Sequence, residues 1–363
     1  MTQARVSTAH AISPDSGLQW AEEGAWPVAE GIHRIPLPLP SDALRAVNVY
    51  VIETGDGLTL IDGGWAISNA REVLGRSLGK LGAGFGDIGQ FLVTHVHRDH
   101  FTLAAILSSE YGADVALGVD DQPTVELLYS DKTGTTPFAV ALQAAGAGDL
   151  LGAWNSANDV MSEAEAAGYQ LPTRWLSGDH RIELGSRSLD AVHTPGHTPG
   201  HFVFADQRAR LLFAGDHVLP TITPSIGFVS PPPADPLGAF MRSLTKVRAL
   251  PDLRLLPAHG PVAPSSHARV DELLAHHEIR LTLSLAVLAN GPATARQVAA
   301  GLPWTRHERA YDELDPQNRG MAAMETKAHL DLLVARGQAT AADTPAGIVY
   351  RAELNTSVDT SSL

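Results

Sequence analysis

The stretch THVHRDH at residues 94–100 places four groups that can bind a metal ion within six consecutive positions. It follows an apolar run that is typical of a short buried strand. In an extended chain the side chains at positions i and i+2 share a face, so His95 and His97 can bind one ion together. Asp99 and His100 follow where the chain turns, and they can reach a second ion. Imidazole and carboxylate ligands suit zinc, iron or manganese.

Three later stretches carry groups of the same kind at the ends of predicted strands or in stiff loops. They are HTPGHTPGH (193–201), FAGD (213–216) and LLPAHG (255–260). Each alone is a weak signal, because a polar residue at a strand end is usually satisfied by local hydrogen bonds. Loops at strand ends are, however, where α/β folds place their chemistry. The order of the three stretches therefore favours one shared site.

Composition narrows the chemistry that the site can use. The 363 residues contain no cysteine, which excludes disulfides and thiolate ligands. The formal net charge of −14 disfavours nucleic acid and anionic lipid as partners. No apolar run is long enough to span a membrane, and residues 1–20 lack the apolar core of a signal peptide. We expect a cytoplasmic protein that does not enter a membrane.

Periodicity divides the chain into a main α/β domain and a smaller, mostly helical module. We expect an N-terminal arm (1–30), the main domain (31–264) with a helical insertion (120–175), the module (265–352) and a loose tail (353–363). The insertion could be a lid, a wall of a substrate pocket, or helices that merely pack on the core. The module runs helix, short helix with Thr294 as N-cap, longer helix and hairpin, which is the order of a winged-helix domain.

These motifs together resemble those of the metallo-β-lactamase superfamily, in its glyoxalase II and lactonase type, over about residues 30–262. The resemblance implies an αββα sandwich with the site along one edge, so that 31–264 is the catalytic domain. It implies that the first ion is bound by His95, His97 and His197, the second by Asp99, His100 and His259, and that Asp216 bridges both.

Further residues near the motifs have open roles. Asp62 matches the first motif of the family and would orient a ligand, although a simple turn aspartate is an equally good interpretation. Spacing alone does not decide among His193, His197 and His201, and only the family pattern selects His197. His217 follows Asp216 and either faces the pocket or lies at the edge of the core.

The resemblance implies a hydrolase with two divalent ions, Zn²⁺ before Mn²⁺ or Fe²⁺, in which a hydroxide bridging the metals attacks an ester-type carbonyl. Asp99 is the candidate to relay a proton. A thioester or lactone is favoured over RNA, because residues 291–351 carry seven basic and seven acidic side chains rather than a basic surface. The alternatives are an endoribonuclease or phosphodiesterase, a di-iron redox protein and a binding protein. A small acyl compound is the expected partner, and the C-terminal module could also mediate a homodimer.

Overall fold

A computed structural model describes residues 19–40, 44–55, 57–130, 136–153, 168–305 and 307–353. The chain forms two compact units. The first contains Met1–Lys132, Met161–Pro224 and Ala239–Leu273, and the second contains Thr133–Val160, Ser225–Gly238 and Leu274–Leu363. Among the described residues, no helix combines the length and the apolar character that crossing a membrane would require.

The first unit is built on two β-sheets. The seven-stranded sheet has the order β1-β2-β3-β4-β5-β6-β7, with antiparallel pairing as far as β4 and parallel pairing from β4 to β7. Its strands are Trp26–Ala29, Ile32–Pro38, Ala46–Glu53, Leu58–Ile61, Ile88–Leu92, Asp114–Gly118 and Arg174–Leu176. The five-stranded sheet has the order β12-β11-β10-β9-β8. In chain order, β8 to β12 are His180–Leu184, Arg187–His193, Phe202–Asp206, Leu211–Gly215 and Arg254–Pro257.

Helices separate and follow these strands, beginning after β4. In chain order, α1 to α8 are Ser68–Lys80, Arg98–Tyr111, Gln122–Ser130, Thr136–Ala144, Pro236–Arg248, Ser266–Leu288, Ala295–Ala300 and Pro316–Ala335. Short 3₁₀ turns lie at Phe85–Asp87, Val119–Asp121, Gly148–Leu150 and Tyr311–Glu313.

Apolar side chains fill two layers of the first unit. Between the two sheets, Tyr50 meets Phe213 edge to face, with ring centroids 5.3 Å apart, in a cluster that also holds Ile61 and Phe204. On the other face of the seven-stranded sheet, residues of α1 and α2 pack in a second cluster. Every residue of β10 and β11 is buried, so the five-stranded sheet is covered on both faces as well. The predicted α/β fold of the metallo-β-lactamase type is confirmed.

The described part of the predicted N-terminal arm (1–30) packs against the first unit. Trp20 is buried, and its carbonyl accepts a hydrogen bond from Arg34. Strand β1 at Trp26–Ala29 pairs with β2 through a turn at Gly31, which has φ +64°. The short strand carries no clear alternation, and pairing with β2 determines its conformation. Residues 1–18 of the predicted arm lie outside the described residues.

Side chains that replace backbone partners determine two element boundaries. Strand β5 ends at Leu92, since the Thr94 N–H donates to the Asp62 carboxylate instead of to a neighbouring strand. Helix α8 begins at Pro316. Asp315 caps it by accepting a hydrogen bond from the Asn318 N–H.

The second unit contains the three-stranded sheet β13-β15-β14, formed by Ala293–Thr294, Gly347–Ala352 and Ala339–Thr344. The Thr294 N-cap is confirmed, since its side chain accepts from the Gln297 N–H in a capping box. The winged-helix assignment and the predicted domain boundaries stay predictions. The described part of the insertion is largely helical, whereas its residues 131–135 and 154–167, like 354–363 of the tail, lie outside the described residues.

Candidate metal centre

The motif at residues 94–100 becomes a loop followed by the first turn of a helix. The chain leaves β5 after Leu92, and His97 is the N-cap residue of α2 with extended dihedrals (φ −61°, ψ +148°). Asp99 and His100 then lie in the first helical turn, where a carboxylate is favoured by the helix dipole. His95 and His97 thus face the site from the loop, and Asp99 and His100 from the helix.

The remaining predicted ligands follow three other strands. His197 lies in the loop between β9 and β10, Asp216 directly follows β11, and His259 follows β12. Because β11 and β12 are parallel neighbours, their carboxyl ends meet at the same edge of the sheet. Asp216 and His259 therefore lie side by side at this edge.

The structure brings all seven predicted ligands together in two groups. One is His95, His97, His197 and Asp216, and the other is Asp99, His100 and His259. Within each group the candidate ligand atoms lie no more than 4.8 Å apart. In the first, His97 Nδ1 is 3.0 Å from both His95 Nε2 and His197 Nε2.

Asp216 lies between the two groups. Its Oδ2 is 3.5 Å from His197 Nε2 in the first group. Its Oδ1 is 3.3 Å from His259 Nε2 and 3.7 Å from His100 Nε2 in the second. Two oxygens that face two histidine groups have the arrangement of a carboxylate that bridges two ions.

Several polar atoms of these residues are buried without a hydrogen-bond partner, as expected for ligands of a metal ion. His100 Nε2, His259 Nε2 and Asp216 Oδ1 are buried and make no hydrogen bond. Leaving such atoms unsatisfied costs about 1–3 kcal/mol each. Asp216 Oδ1 lies 3.3 Å from His259 Nε2 and 3.7 Å from His100 Nε2, so one divalent cation would satisfy all three atoms. With only nitrogen and oxygen donors, the site suits zinc, manganese or iron.

The pKa values of the site describe a cavity that favours a cation. Burial lowers the pKa of His97 to about 3, which keeps the imidazole in its neutral, ligating form. Burial also disfavours charge on His100, but the carboxylates of Asp62, Asp99 and Asp216 outweigh this and raise its pKa to about 9. Although burial opposes ionisation of Asp99, His100 and His259 hold its pKa well below the usual range. Without metal, the carboxylates thus favour protonation of His100 and His259.

Asp62 directly contacts a predicted ligand. It adopts a left-handed conformation (φ +62°) and is buried. Its carboxylate accepts hydrogen bonds from the Thr94 N–H at 2.7 Å and from His100 Nδ1 at 2.8 Å. The second bond fixes the His100 tautomer and turns Nε2 toward the site. The geometry favours the orienting role over the simple turn.

His259 is held in the same way by residues that the sequence analysis missed. Its Nδ1 donates to the Ala46 carbonyl at 2.8 Å. The Asn48 amide donates at 2.9 Å to the carbonyls of both Pro257 and Gly260, on either side of the histidine. A polar residue in an otherwise apolar strand was the available signal for Asn48.

The three histidines with open roles belong to neither metal group. His193 Nε2 donates to the Pro199 carbonyl at 2.9 Å. His201 is buried and accepts from the Asp216 N–H at 3.2 Å, which positions the bridging residue. His217 is buried edge-on against Phe240, at 5.0 Å between ring centroids, and burial lowers its pKa to about 3. Its ring centroid also lies 5.9 Å from that of His201, and its place in the pocket or at the edge of the core stays a prediction.

Asp121 is a second residue that the sequence analysis missed. It is buried at the end of the 3₁₀ turn after β6, and burial raises its pKa to about 7. Its carboxylate accepts hydrogen bonds from Val96, Thr198 and Gly200. An acidic residue just after a predicted strand was a signal of the kind that identified Asp216.

Known proteins share both the sequence pattern and the fold. The model of the metallo-beta-lactamase superfamily matches residues 42–259. A probable metallo-hydrolase, YqjP of Bacillus subtilis, is 25% identical over 309 residues, which are 83% of this chain and 91% of the relative. The beta-lactamase-like protein 2 homolog of Caenorhabditis elegans is 25% identical over 72% of this chain and 73% of its own length.

A solved structure has the same architecture. The metallo-beta-lactamase family protein TTHA1429 of Thermus thermophilus superposes with a TM-score of 0.73 at 26% identity. The match covers 90% of this chain and all of that protein. The family model spans more than half of the chain and contains all seven clustered ligands. The chain therefore belongs to the metallo-beta-lactamase superfamily and carries the His/Asp metal-binding clusters of a metallohydrolase.

Proposed function

We propose that this protein is a hydrolase with two divalent metal ions, zinc in the first place, that cleaves an ester-type acyl bond in a thioester or lactone. The position of Asp216 carries the proposal. Its two oxygens face His197 on one side and His100 and His259 on the other, at 3.3–3.7 Å. One ion would be held by each group, with Asp216 common to both. Two ions at such a centre supply Lewis acidity and make water nucleophilic at neutral pH.

The side chains of the chain have distinct tasks in this reaction. His95, His97 and His197 would hold one ion through ring nitrogens, and burial keeps His95 and His97 neutral by lowering their pKa. Asp99 remains ionised, and its side chain is 17% exposed, so water and substrate can reach it. Its Oδ2 lies 3.4 Å from His259 Nε2 and 3.6 Å from His100 Nε2. We assign Asp99 to accept a proton at Oδ2 and to pass it to the leaving group.

Charge supports an acyl substrate over a polyanion. The chain carries 40 acidic and 26 basic residues, and its segment 291–351 has no net charge. A nuclease would instead need cations along the path of the phosphates. A small thioester or lactone needs no such surface.

The test is a substrate panel run together with metal quantification on the full chain. It contains an acyl thioester, an aliphatic lactone, bis(p-nitrophenyl) phosphate and a short RNA. We expect about two ions per chain, and acyl hydrolysis that chelation removes and added Zn²⁺ restores. Cleavage of only the phosphodiester or RNA would overturn the acyl assignment. Bound iron with visible absorbance and no hydrolysis would indicate a redox centre. Full metal content without any turnover would indicate a binding protein.

A further inference from the structure

Asp121 connects the two loops that present the histidines of the first metal group. Its side chain is fully buried. Oδ2 accepts from the Val96 N–H at 3.0 Å and from the Thr198 hydroxyl at 3.0 Å, and Oδ1 accepts from the Gly200 N–H at 2.7 Å. Val96 lies between His95 and His97, whereas Thr198 and Gly200 lie one and three residues after His197. One carboxylate therefore bonds to both loops.

The backbone is shaped for this contact. A Cβ on Gly118, at the end of β6, would lie 1.9 Å from the Gly200 carbonyl oxygen. A Cβ on Gly200 would lie 2.5 Å from the Asp121 nitrogen. Only glycine at these two positions allows the strand end to approach the histidine loop so closely. The three donors to the carboxylate are two backbone N–H groups and one hydroxyl, so the contact depends on geometry and not on a paired cation.

We propose that Asp121 is a positioning residue that fixes the distance between the His95–His97 loop and the His197 loop, and thereby sets the affinity of the first group for its ion. The inference rests on the ligand assignment of the proposed function. Loops that are ordered only when metal binds lose conformational entropy at that step. A carboxylate that orders both loops beforehand removes this cost. Asp121 itself belongs to neither group of candidate ligands.

The substitution Asp121→Asn tests the inference because it preserves the shape of the side chain. An amide has one accepting oxygen, and its NH₂ group cannot accept from an N–H. The NH₂ group of asparagine would then face either the Val96 N–H or the Gly200 N–H, and that N–H would lose its acceptor. We expect the dissociation constant of the first ion to rise about 10–100-fold, the usual range for residues that orient ligands.

The measurement is chelator-competition titration of the metal-free full chain with Zn²⁺, together with the visible spectrum of the Co²⁺-loaded protein. The matched control is Asp120→Asn, since the Asp120 side chain is 56% exposed and lies 3.3 Å from His193. It should leave both the affinity and the spectrum unchanged. A purely structural Asp121 would lower the melting temperature of D121N and leave the affinity and the spectrum of the folded protein as in the wild type. That result would overturn the inference.

A milder variant keeps the inference testable if D121N does not fold. Thr198→Val removes one of the three hydrogen bonds and keeps the carboxylate. It should weaken binding of the first ion about 3–10-fold, the effect of losing one hydrogen bond. An unchanged affinity in T198V would contradict the proposal. If the wild-type protein binds two ions and hydrolyses nothing, only the proposed function is contradicted. If it binds no ion, both the proposed function and the inference about Asp121 are contradicted.

Discussion

Asp216 contacts histidines of both groups of candidate ligands. Its Oδ2 faces His197 and its Oδ1 faces His100 and His259. The Asp216 N–H donates to His201, whose Nδ1 in turn lies 2.9 Å from the Thr194 hydroxyl. These hydrogen bonds fix the backbone of Asp216 and so limit the orientations of its side chain, which suits a ligand that two ions would share.

Replacing Asp216 by alanine should therefore disturb both metal groups. We expect the metal content of the Asp216→Ala variant to fall from about two bound ions per chain to fewer than one. Its hydrolytic activity should drop by more than the roughly 100-fold that is typical of losing an orienting residue. Elemental analysis after gel filtration and initial rates on the active substrate measure the two effects.

His193, which lies in the same stretch as the predicted ligand His197, provides the matched control. It is partly buried and hydrogen-bonds to the Pro199 carbonyl, but it belongs to neither metal group. His193→Ala should keep the full metal content. Loss of one equivalent in H193A would show that the wrong histidine of residues 193–201 was assigned, and normal metal content in D216A would exclude the bridging role.

At the scale of elements, the loop after β9 is positioned by its contact with α5. Gly196 has φ +142°, and a Cβ there would lie 2.4–2.5 Å from backbone and side-chain atoms of Phe240. Ser243, one turn further along the helix, donates to the Pro195 carbonyl at 2.8 Å. The helix thus determines where the loop carries His197.

A methyl group at Gly196 should separate this loop from the helix. Gly196→Ala is expected to lower the free energy of unfolding by about 2–4 kcal/mol, through backbone strain and overpacking. Gly79→Ala is the control, because Gly79 lies in α1 with nothing within 4 Å of its would-be Cβ. It should raise stability by about 0.5–1 kcal/mol. Urea unfolding of the metal-free proteins compares them, and equal stability of G196A and wild type would contradict the close contact.

The same elements show how far the sequence predicts the site. Most of the ligands could be identified because they follow strands with a recognisable apolar pattern and strand ends meet at one edge, whereas only the family pattern selected His197. The residues that hold them could not, because their contacts join distant positions. Ala46 is 213 residues from His259, and Asp121 is 79 residues from Gly200. Asp62 was found only through its motif, since nothing in residues 61–64 indicates a bond to His100.

At the scale of the whole molecule, buried histidines make stability depend on pH. In the second unit, His277 Nδ1 lies 3.2 Å from His329 Nε2, and His329 Nδ1 donates to the Glu325 carbonyl at 2.9 Å. Burial, with help from the nearby Arg280 and His276, lowers the pKa of His329 to about 3, although the bond to the Glu325 carbonyl opposes the shift. Burial also lowers the pKa of His277 well below its usual value and raises that of the Glu325 carboxyl.

The sign of the effect follows from the lowered pKa. Between about pH 3 and 6.5 the unfolded chain binds a proton at His329 that the folded chain does not, so stability falls as the pH falls through this window. Above pH 6.5 both states are neutral and the contribution is constant. One such histidine costs about 1.4 kcal/mol at pH 5.5 relative to pH 7.5. In the metal-free site, the raised pKa of His100 acts oppositely: its contribution is present at low pH and is lost as the pH rises through about 9.

His329→Gln isolates the contribution of the second unit, since glutamine can still accept from His277 but does not titrate. With metal removed by chelation, urea unfolding at pH 7.5 and 5.5 should show that wild type loses more stability than H329Q, by about 1.4 kcal/mol. The matched control His307→Gln changes an exposed side chain and should keep the wild-type difference. If H329Q loses as much stability as wild type on acidification, His329 is not neutral in the folded chain. Because the comparison is between two pH values, any constant cost of the substitution cancels.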